Sequence, residues 1–179
     1  MIRTRVIRRR PRATKRMPHY ETGSVRGFYH IQLLDVQTGE IVGESRGENL
    51  ITDAGKQYYQ VRATGGLSSS LVISHLGLST KTNAVAAADT TIAGEVGGRK
   101  SMADTTNTAS NRKLFSTPGT LQMVVSWAGS DIGATPSNIA SIAAFNSSNA
   151  GTLASAATYS SSQWTSDQNV NVTYEWRFA

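Results

Sequence analysis

The chain of 179 residues contains no cysteine and only four prolines. The absence of cysteine excludes disulfides, thiolate metal ligands and cysteine nucleophiles. A chain of this length can bury an ordinary hydrophobic core without such cross-links. No run of about eighteen apolar residues occurs, so we expect no membrane-spanning helix. The basic N-terminus is not followed by the apolar stretch of a secretory signal peptide, so we expect none.

Acidic residues are absent from the first sixteen positions, which carry eight cations. The whole chain has 18 Lys and Arg against 12 Asp and Glu, so ten cations and twelve acids remain elsewhere. The net charge of +6 therefore divides into +8 for the N-terminal segment and −2 for the remainder. We define residues 1–22 as the arm and residues 23–179 as the body. The cations of the arm are Arg3, Arg5, Arg8, Arg9, Arg10, Arg12, Lys15 and Arg16.

The arm is predicted to be extended and disordered in isolation, because Pro11 and Pro18 interrupt a helix and like charges repel each other. Three uses remain open. The arm binds an acidic surface of a neighbouring protein, which we favour; it binds nucleic acid by neutralising phosphates; or it is only a solvated tail. Val6 and Ile7 lie among the arginines and indicate a segment that packs against a partner, such as an added strand.

The body shows the two-residue alternation of half-buried strands. Tyr29, Ile31 and Leu33 alternate with polar residues, and Val170–Phe178 shows the same pattern most clearly. We predict strands at Gly27–Val36, Ile41–Ser45, Leu71–Leu78, Thr120–Trp127, Ile139–Phe145, Thr152–Tyr159 and Val170–Phe178.

One short helix and one long loop complete the predicted body. Thr52 or Asp53 can cap a helix that continues to Arg62. Ser79–Asn111 is poor in large apolar residues, so we predict a loop with one helical turn at Asp89–Val96. A loop of this length is usually functional or interfacial, and we expect it to contact a neighbour. These elements predict an all-β, antiparallel, jelly-roll-like β-sandwich with an extended basic arm.

Motifs for catalysis or metal binding are not found. His19, His30 and His75 have no metal-ligand spacing, either among themselves or with carboxylates. No serine lies in a nucleophile elbow, and no glycine-rich segment continues as a phosphate-binding loop. We therefore predict a protein that is not an enzyme, with no catalytic residue, metal or cofactor.

Several segments resemble motifs that recur in structural proteins of tailed bacteriophages. Asn49–Lys56 resembles their helix start, N-L-(I/V)-(T/V)-(N/D)-x-G, which also follows an N-terminal hairpin. Two of the further segments depart from their motifs: Ser79 stands where Gly is usual at the end of the first, and Ala143 and Ala144 stand where Gly and Leu are usual in the third. The further segments, in the same order as in those proteins, are Ile73–Ser79, Ala87–Glu95 with Arg99 after it, Ile139–Asn146 and Gly151–Ser155.

The resemblance implies a virion structural protein of the tail, tail fibre or baseplate, assembled in the host cytoplasm. It would form a homo-oligomer, with a trimer as one option, and the arm would dock on a virion protein with an acidic surface. The first alternative is a capsid decoration (cement) protein that clamps coat subunits. The second is a coat protein whose arm contacts the genome. No membrane contact is expected.

A segment rich in alanine and serine, Ile139–Thr158, is a candidate for close packing between subunits. An equally weighted interpretation is that small residues allow two sheets of one chain to approach closely. The interface candidates are Val6, Ile7, Ile139, Ile142 and Phe145.

Overall fold

The structure, a computed structural model, describes residues 25–63, 72–104, 112–117 and 119–178. Only the backbone is described for residues 59–63, 103–104 and 112–117. The arm, with its eight cations and with Val6 and Ile7, lies outside the described residues. So does His19.

The described chain is all-β with one short helix, which confirms the predicted class. A single turn of 3-10 helix lies at Gly129–Ile132, and the α-helix, α1, lies at Asp53–Ala63. The strands are β1 (Val25–Asp35), β2 (Ile41–Ile51), β3 (His75–Ser79), β4 (Glu95–Ser101), β5 (Ala103–Asp104), β6 (Arg112–Thr117), β7 (Thr120–Trp127), β8 (Ser137–Phe145), β9 (Leu153–Trp164) and β10 (Gln168–Phe178).

The region expected to be a long loop contains β4 and β5. The predicted helical turn at Asp89–Val96 is wrong, because residues from Glu95 onward form β4 and pair with β3. The local sequence of β4 has little apolar character, so its pairing with β3 rather than its own pattern makes it a strand. β9 also extends beyond its predicted end to Trp164, which is fully buried.

The strands form one sheet in the order β4-β3-β8-β9-β2-β1-β10-β7-β6-β5. All described pairings are antiparallel except that of β5 with β6. Only two residue pairs, Leu50 with Ala156 and Ile51 with Ser155, connect β2 to β9. The last residues of β2 therefore join a group of four strands, β4-β3-β8-β9, to the remaining six. The sheet curves until it is nearly closed into a barrel.

Side chains close the opposite side of this curved sheet, where β4 faces β7 and the 3-10 helix. The indole Nε1 of Trp127 donates to the carbonyl oxygen of Gly98 at 2.9 Å. The ammonium of Lys100 lies 2.8 Å from a carboxylate oxygen of Asp131. β4 and β7 are thus held together without a ladder of backbone hydrogen bonds between them.

The core lies between the two strand groups. On β10, four of the five predicted inward residues, Val170, Val172, Tyr174 and Trp176, are buried, which confirms the alternation there. The fifth, Phe178, is 39% exposed at the end of the strand, so the prediction is wrong for that residue. β8 is different, because every residue from 139 to 145 is fully buried. Its second face is covered by an outer layer that includes Ile92 and Val85. These two residues belong to the segment 80–94, which follows β3.

Thr52 joins the start of α1 to β9. Its hydroxyl accepts the N–H of Gly55 at 3.1 Å, which caps the helix. The same hydroxyl donates toward the carbonyl oxygens of Leu153, at 2.7 Å, and Ala154, at 3.0 Å. A Cβ on Gly55 would lie only 1.9 Å from the carbonyl oxygen of Ala154, so this close approach requires glycine. Of the two predicted caps, Thr52 is the one that acts.

Replacing Thr52 with valine should lower the free energy of unfolding by about 1–3 kcal/mol. The variant keeps the shape of the side chain but leaves the N–H of Gly55 without its buried partner. Thr52→Ser keeps the hydroxyl and should cost about 1 kcal/mol or less. Urea unfolding measures both losses of stability, provided that the dependence of the unfolding free energy on urea concentration is the same for the variants and the parent. A valine variant as stable as the parent would show that the hydroxyl is dispensable.

Candidate interaction surfaces

The outer face of β2, β1, β10 and β7 carries an open groove of about 560 Å³. The residues come from strands that are distant in sequence but adjacent in the sheet, because β1 pairs with both β2 and β10. The side chains that line the groove are mostly polar or charged. They include Phe28, His30, Arg46, Glu48, Gln122, Thr173, Glu175 and Arg177.

Phe28 is the aromatic centre of this face. The guanidinium carbon of Arg177 lies 4.3 Å from the centre of its ring, and that of Arg26 lies 5.5 Å from it. Arg26 also forms an ion pair with Glu48 across the strands. The arrangement holds two guanidinium groups over one half-buried ring, with Glu48 paired to one of them, which makes a charged outer surface on these strands.

Glu175 is the most tightly bound acid of the groove. Arg177 donates to one of its carboxylate oxygens at 2.7 and 3.1 Å, and Gln122 donates to the other at 2.9 Å. These hydrogen bonds, above all those from Arg177, lower the pKa of Glu175 below its usual value of 4.5. The carboxylate is therefore charged at neutral pH and its two oxygens are both occupied.

The segment 80–94 is the first part of the predicted loop Ser79–Asn111, expected to contact a neighbour, and it is bonded closely to its own chain. The N–H of Asp53 donates to Ala87 O at 2.9 Å, and the N–H of Leu153 donates to Thr90 O at 3.1 Å. Asp89 accepts from Lys81 and from the N–H of Ala86, both at 3.0 Å. The segment is a structured cover over β8 and β9. Whether it also contacts a neighbour stays a prediction.

Arg99 fixes the edge of this cover. Its guanidinium binds both carboxylate oxygens of Glu95 at 2.7 Å, and it donates to the carbonyl oxygens of Ser147 at 3.0 Å and Ala150 at 2.5 Å. It also stacks on Phe145, with 3.4 Å from the guanidinium carbon to the ring centre. The side chain of Arg99 is 6% exposed, so its role is structural.

The structure places three of the predicted interface residues inside the protein. Ile139, Ile142 and Phe145 are each fully buried and offer no surface to another subunit in this conformation. Ile139 and Ile142 pack in the main core, and Phe145 packs under the outer layer. Close packing of layers within one chain, the alternative interpretation of this segment, accounts for its small side chains.

The two described histidines have ordinary partners. His30 Nε2 lies 2.5 Å from Glu44 Oε1 on the neighbouring strand, and His75 Nδ1 lies 2.7 Å from the hydroxyl of Ser74. Across the described ranges, no group of three or more His, Cys, Asp or Glu side chains is placed to hold a metal ion. No helix in this part of the chain is long and apolar enough to span a bilayer.

The groove residues were not identified from the sequence, although one signal was present. Phe28, His30, Glu175 and Arg177 occupy the polar side of the alternation in β1 and β10. The alternation shows that they face outward. It does not show that β1 and β10 are neighbours, so the groove itself could not be predicted.

Comparisons with protein-family models, curated proteins and solved structures found no match.

Replacing Arg99 with alanine should lower the free energy of unfolding by about 2–4 kcal/mol, because Glu95 and two carbonyl groups lose a nearly buried partner. Arg26→Ala is the matched control, since its ion pair is largely solvated and should contribute less than about 1 kcal/mol. Chemical denaturation of both variants makes the comparison. Equal losses of stability would contradict the structural role given to Arg99.

The stabilisation from Glu175 should depend on pH. Its pKa is lowered in the folded protein, so the contribution is present above the unfolded pKa of 4.5 and is lost as pH falls through the folded pKa. Glu175→Gln should be less stable than the parent by up to about 1 kcal/mol at neutral pH, a small value because Arg177 is well solvated. The difference should shrink as the pH falls below 4.5. Urea unfolding across this range measures it, and a constant difference would contradict the assignment.

Proposed function

We propose that this chain is a non-enzymatic structural protein of a tailed-bacteriophage virion, in the tail, tail fibre or baseplate. It assembles as a homo-oligomer and docks through its basic arm on a neighbouring virion protein with an acidic surface. In this proposal, the two strand groups that face each other across the core form a jelly-roll-like β-sandwich.

The observation that carries the proposal is the structural use of the motif residues. In the segment Asn49–Lys56, Thr52 caps α1 and Gly55 lets the helix approach β9. In the segment Ala87–Glu95, Asp89 binds Lys81, Ile92 is buried, and Glu95 holds Arg99. The residues that carry the resemblance therefore build the scaffold, as expected if the chain shares a fold with the phage structural proteins that it resembles.

The later motifs behave in the same way. Asn146 accepts the N–H of Thr152 at 2.6 Å and closes the turn between β8 and β9. Gly151 in that turn has a φ of +69°, a conformation that favours glycine. Motifs that serve packing rather than chemistry support a structural protein over an enzyme.

The division of charge supports docking through the arm. Residues 1–16 of the arm carry all eight of its cations and no acid, whereas the remainder of the chain has a net charge of −2. A dense cationic segment on a weakly acidic body needs a partner with negative charge, either protein or phosphate. We favour protein, because the basic stretch at residues 1–16 has no aromatic side chain on which a base could stack.

Deleting residues 1–16 should leave a folded, soluble body that no longer joins the particle. A full-length variant with the eight arm cations changed to glutamine is the matched control for charge, and it should fail in the same way. Circular dichroism checks the fold, and the amount of the protein in purified particles checks incorporation. Normal incorporation of the truncated chain would remove the docking role from the arm.

Binding of the purified protein to duplex DNA tests the genome-contacting alternative. Each neutralised phosphate contributes a slope of about −0.9 to the dependence of log affinity on log salt. A slope close to the one expected when most of the eight arm cations each neutralise one phosphate would favour the genome over a protein partner. A low-resolution map that locates the protein on the tail or on the capsid surface would separate the leading proposal from a cement protein.

A further inference from the structure

Most of β2 is an open sheet edge. Residues 41–49 pair with β1 on one side. β9 pairs only with Leu50 and Ile51, so no described backbone pairs with the other side of residues 41–49. An unpaired strand edge is a template for another strand, because its N–H and C=O groups lack protein partners.

The start of this edge is apolar. Ile41 and Val42 are each 54% exposed, and Val36 at the preceding turn is 51% exposed. They are three of the five large hydrophobic side chains that are strongly exposed in the described chain; the others are Leu50 and Phe178. Such a group at a free strand edge marks a site of contact with another chain.

The edge is also acidic. Glu40, Glu44 and Glu48 follow each other at intervals of four residues, with Arg46 as the one cation among them. The side chains of Glu44 and Glu48 are 48% and 61% exposed, although each has a partner on β1. Like charges would oppose pairing of two β2 edges with each other, whereas a cationic strand is complementary.

The arm has the composition of such a strand. Residues 2–10 contain neither proline nor glycine, and four of the nine are β-branched: Ile2, Thr4, Val6 and Ile7. Valine, isoleucine and threonine favour strands. The other five residues of this stretch are all arginine. The segment therefore matches the edge in apolar character and in charge.

We propose that residues 2–10 of one copy add as a strand to the open edge of β2 in a second copy. Val6 and Ile7 would lie near Ile41 and Val42, and the arginines would lie near Glu40 and Glu44. The proposal rests on the docking role given to the arm, and it names the acidic acceptor as a second copy of the same chain.

The direction of β1 favours a second copy over the same chain. Val25, where the arm joins β1, lies at the Asn49 end of β2, since Gly27 pairs with Asn49. The exposed apolar residues lie at the opposite end, near Ile41. To bring Val6 and Ile7 beside its own Ile41, the arm would have to turn back after leaving Val25 and run the whole length of β1.

Cysteine cross-linking tests the proposal, and the absence of native cysteine leaves no background. Full-length Val6→Cys and Val42→Cys proteins are mixed and treated with a short bismaleimide. We expect mixed dimers in about tenfold higher yield than with Ser161→Cys in place of Val42→Cys, because strand addition raises the effective concentration to the millimolar range. Ser161 is an exposed position on β9 and serves as the matched control.

Equal yields at positions 42 and 161, or no mixed dimer at all, would overturn the proposal. So would cross-linking of a Val6→Cys, Val42→Cys double variant only within single chains, since the arm would then occupy its own β2. A further variant, Glu40→Lys with Glu44→Lys, should reduce the mixed dimer to the control level while the body stays folded.

The cross-linking uses purified protein, so its failure is distinct from failure of the proposed function. If mixed dimers are absent but deletion of residues 1–16 still prevents joining the particle, the arm docks elsewhere and this inference fails. If mixed dimers form but truncated protein joins particles normally, the edge contact stands and the docking role in the virion fails.

Discussion

At the end of β2 the chain passes from one strand group to the other, and the hydroxyl of Thr52 holds that passage against β9. Two residue pairs join the groups, and the next residue both caps α1 and bonds to the backbone of β9. Gly55 permits this approach because it has no side chain. The sheet can therefore bend around one core, with β4 returning to face β7. The open edge of β2 is a consequence of the same bend, because β9 pairs only with Leu50 and Ile51 and diverges from residues 41–49.

A second layer explains why the middle of the sheet is apolar on both faces. Ile92 and Val85 cover β8 and β9 from outside, and Arg99 stacks on Phe145 at the margin of this layer. The covering segment has few large apolar residues, so backbone hydrogen bonds and ion pairs hold much of it in place. Residues that looked suitable for contact between subunits are thereby used within one chain.

The outer surfaces left after this packing differ in character. The groove around Phe28 carries both acidic and basic side chains, and their ion pairs and hydrogen bonds are already formed within the chain. The β2 edge has an acidic and apolar character together with unpaired backbone. The cationic arm, which is unusual for a body of nearly neutral charge, complements the edge more closely than it complements the groove. The proposed assembly role would use both the arm and the edge.

The sequence by itself determined the all-β class, the inward faces of β1 and β10, a helix cap at Thr52 or Asp53, and the separation of charge between the N-terminal segment and the remainder of the chain. These features depend on local patterns of a few residues, such as alternation and capping. Only the tertiary structure decided that residues 95–101 form a strand, that residues 139–145 are buried on both faces, and that Phe28 lies beside Glu175 and Arg177. Each of these depends on which distant strands become neighbours. Pairing between segments more than a hundred residues apart is set by the packing of the whole chain, which no local pattern contains.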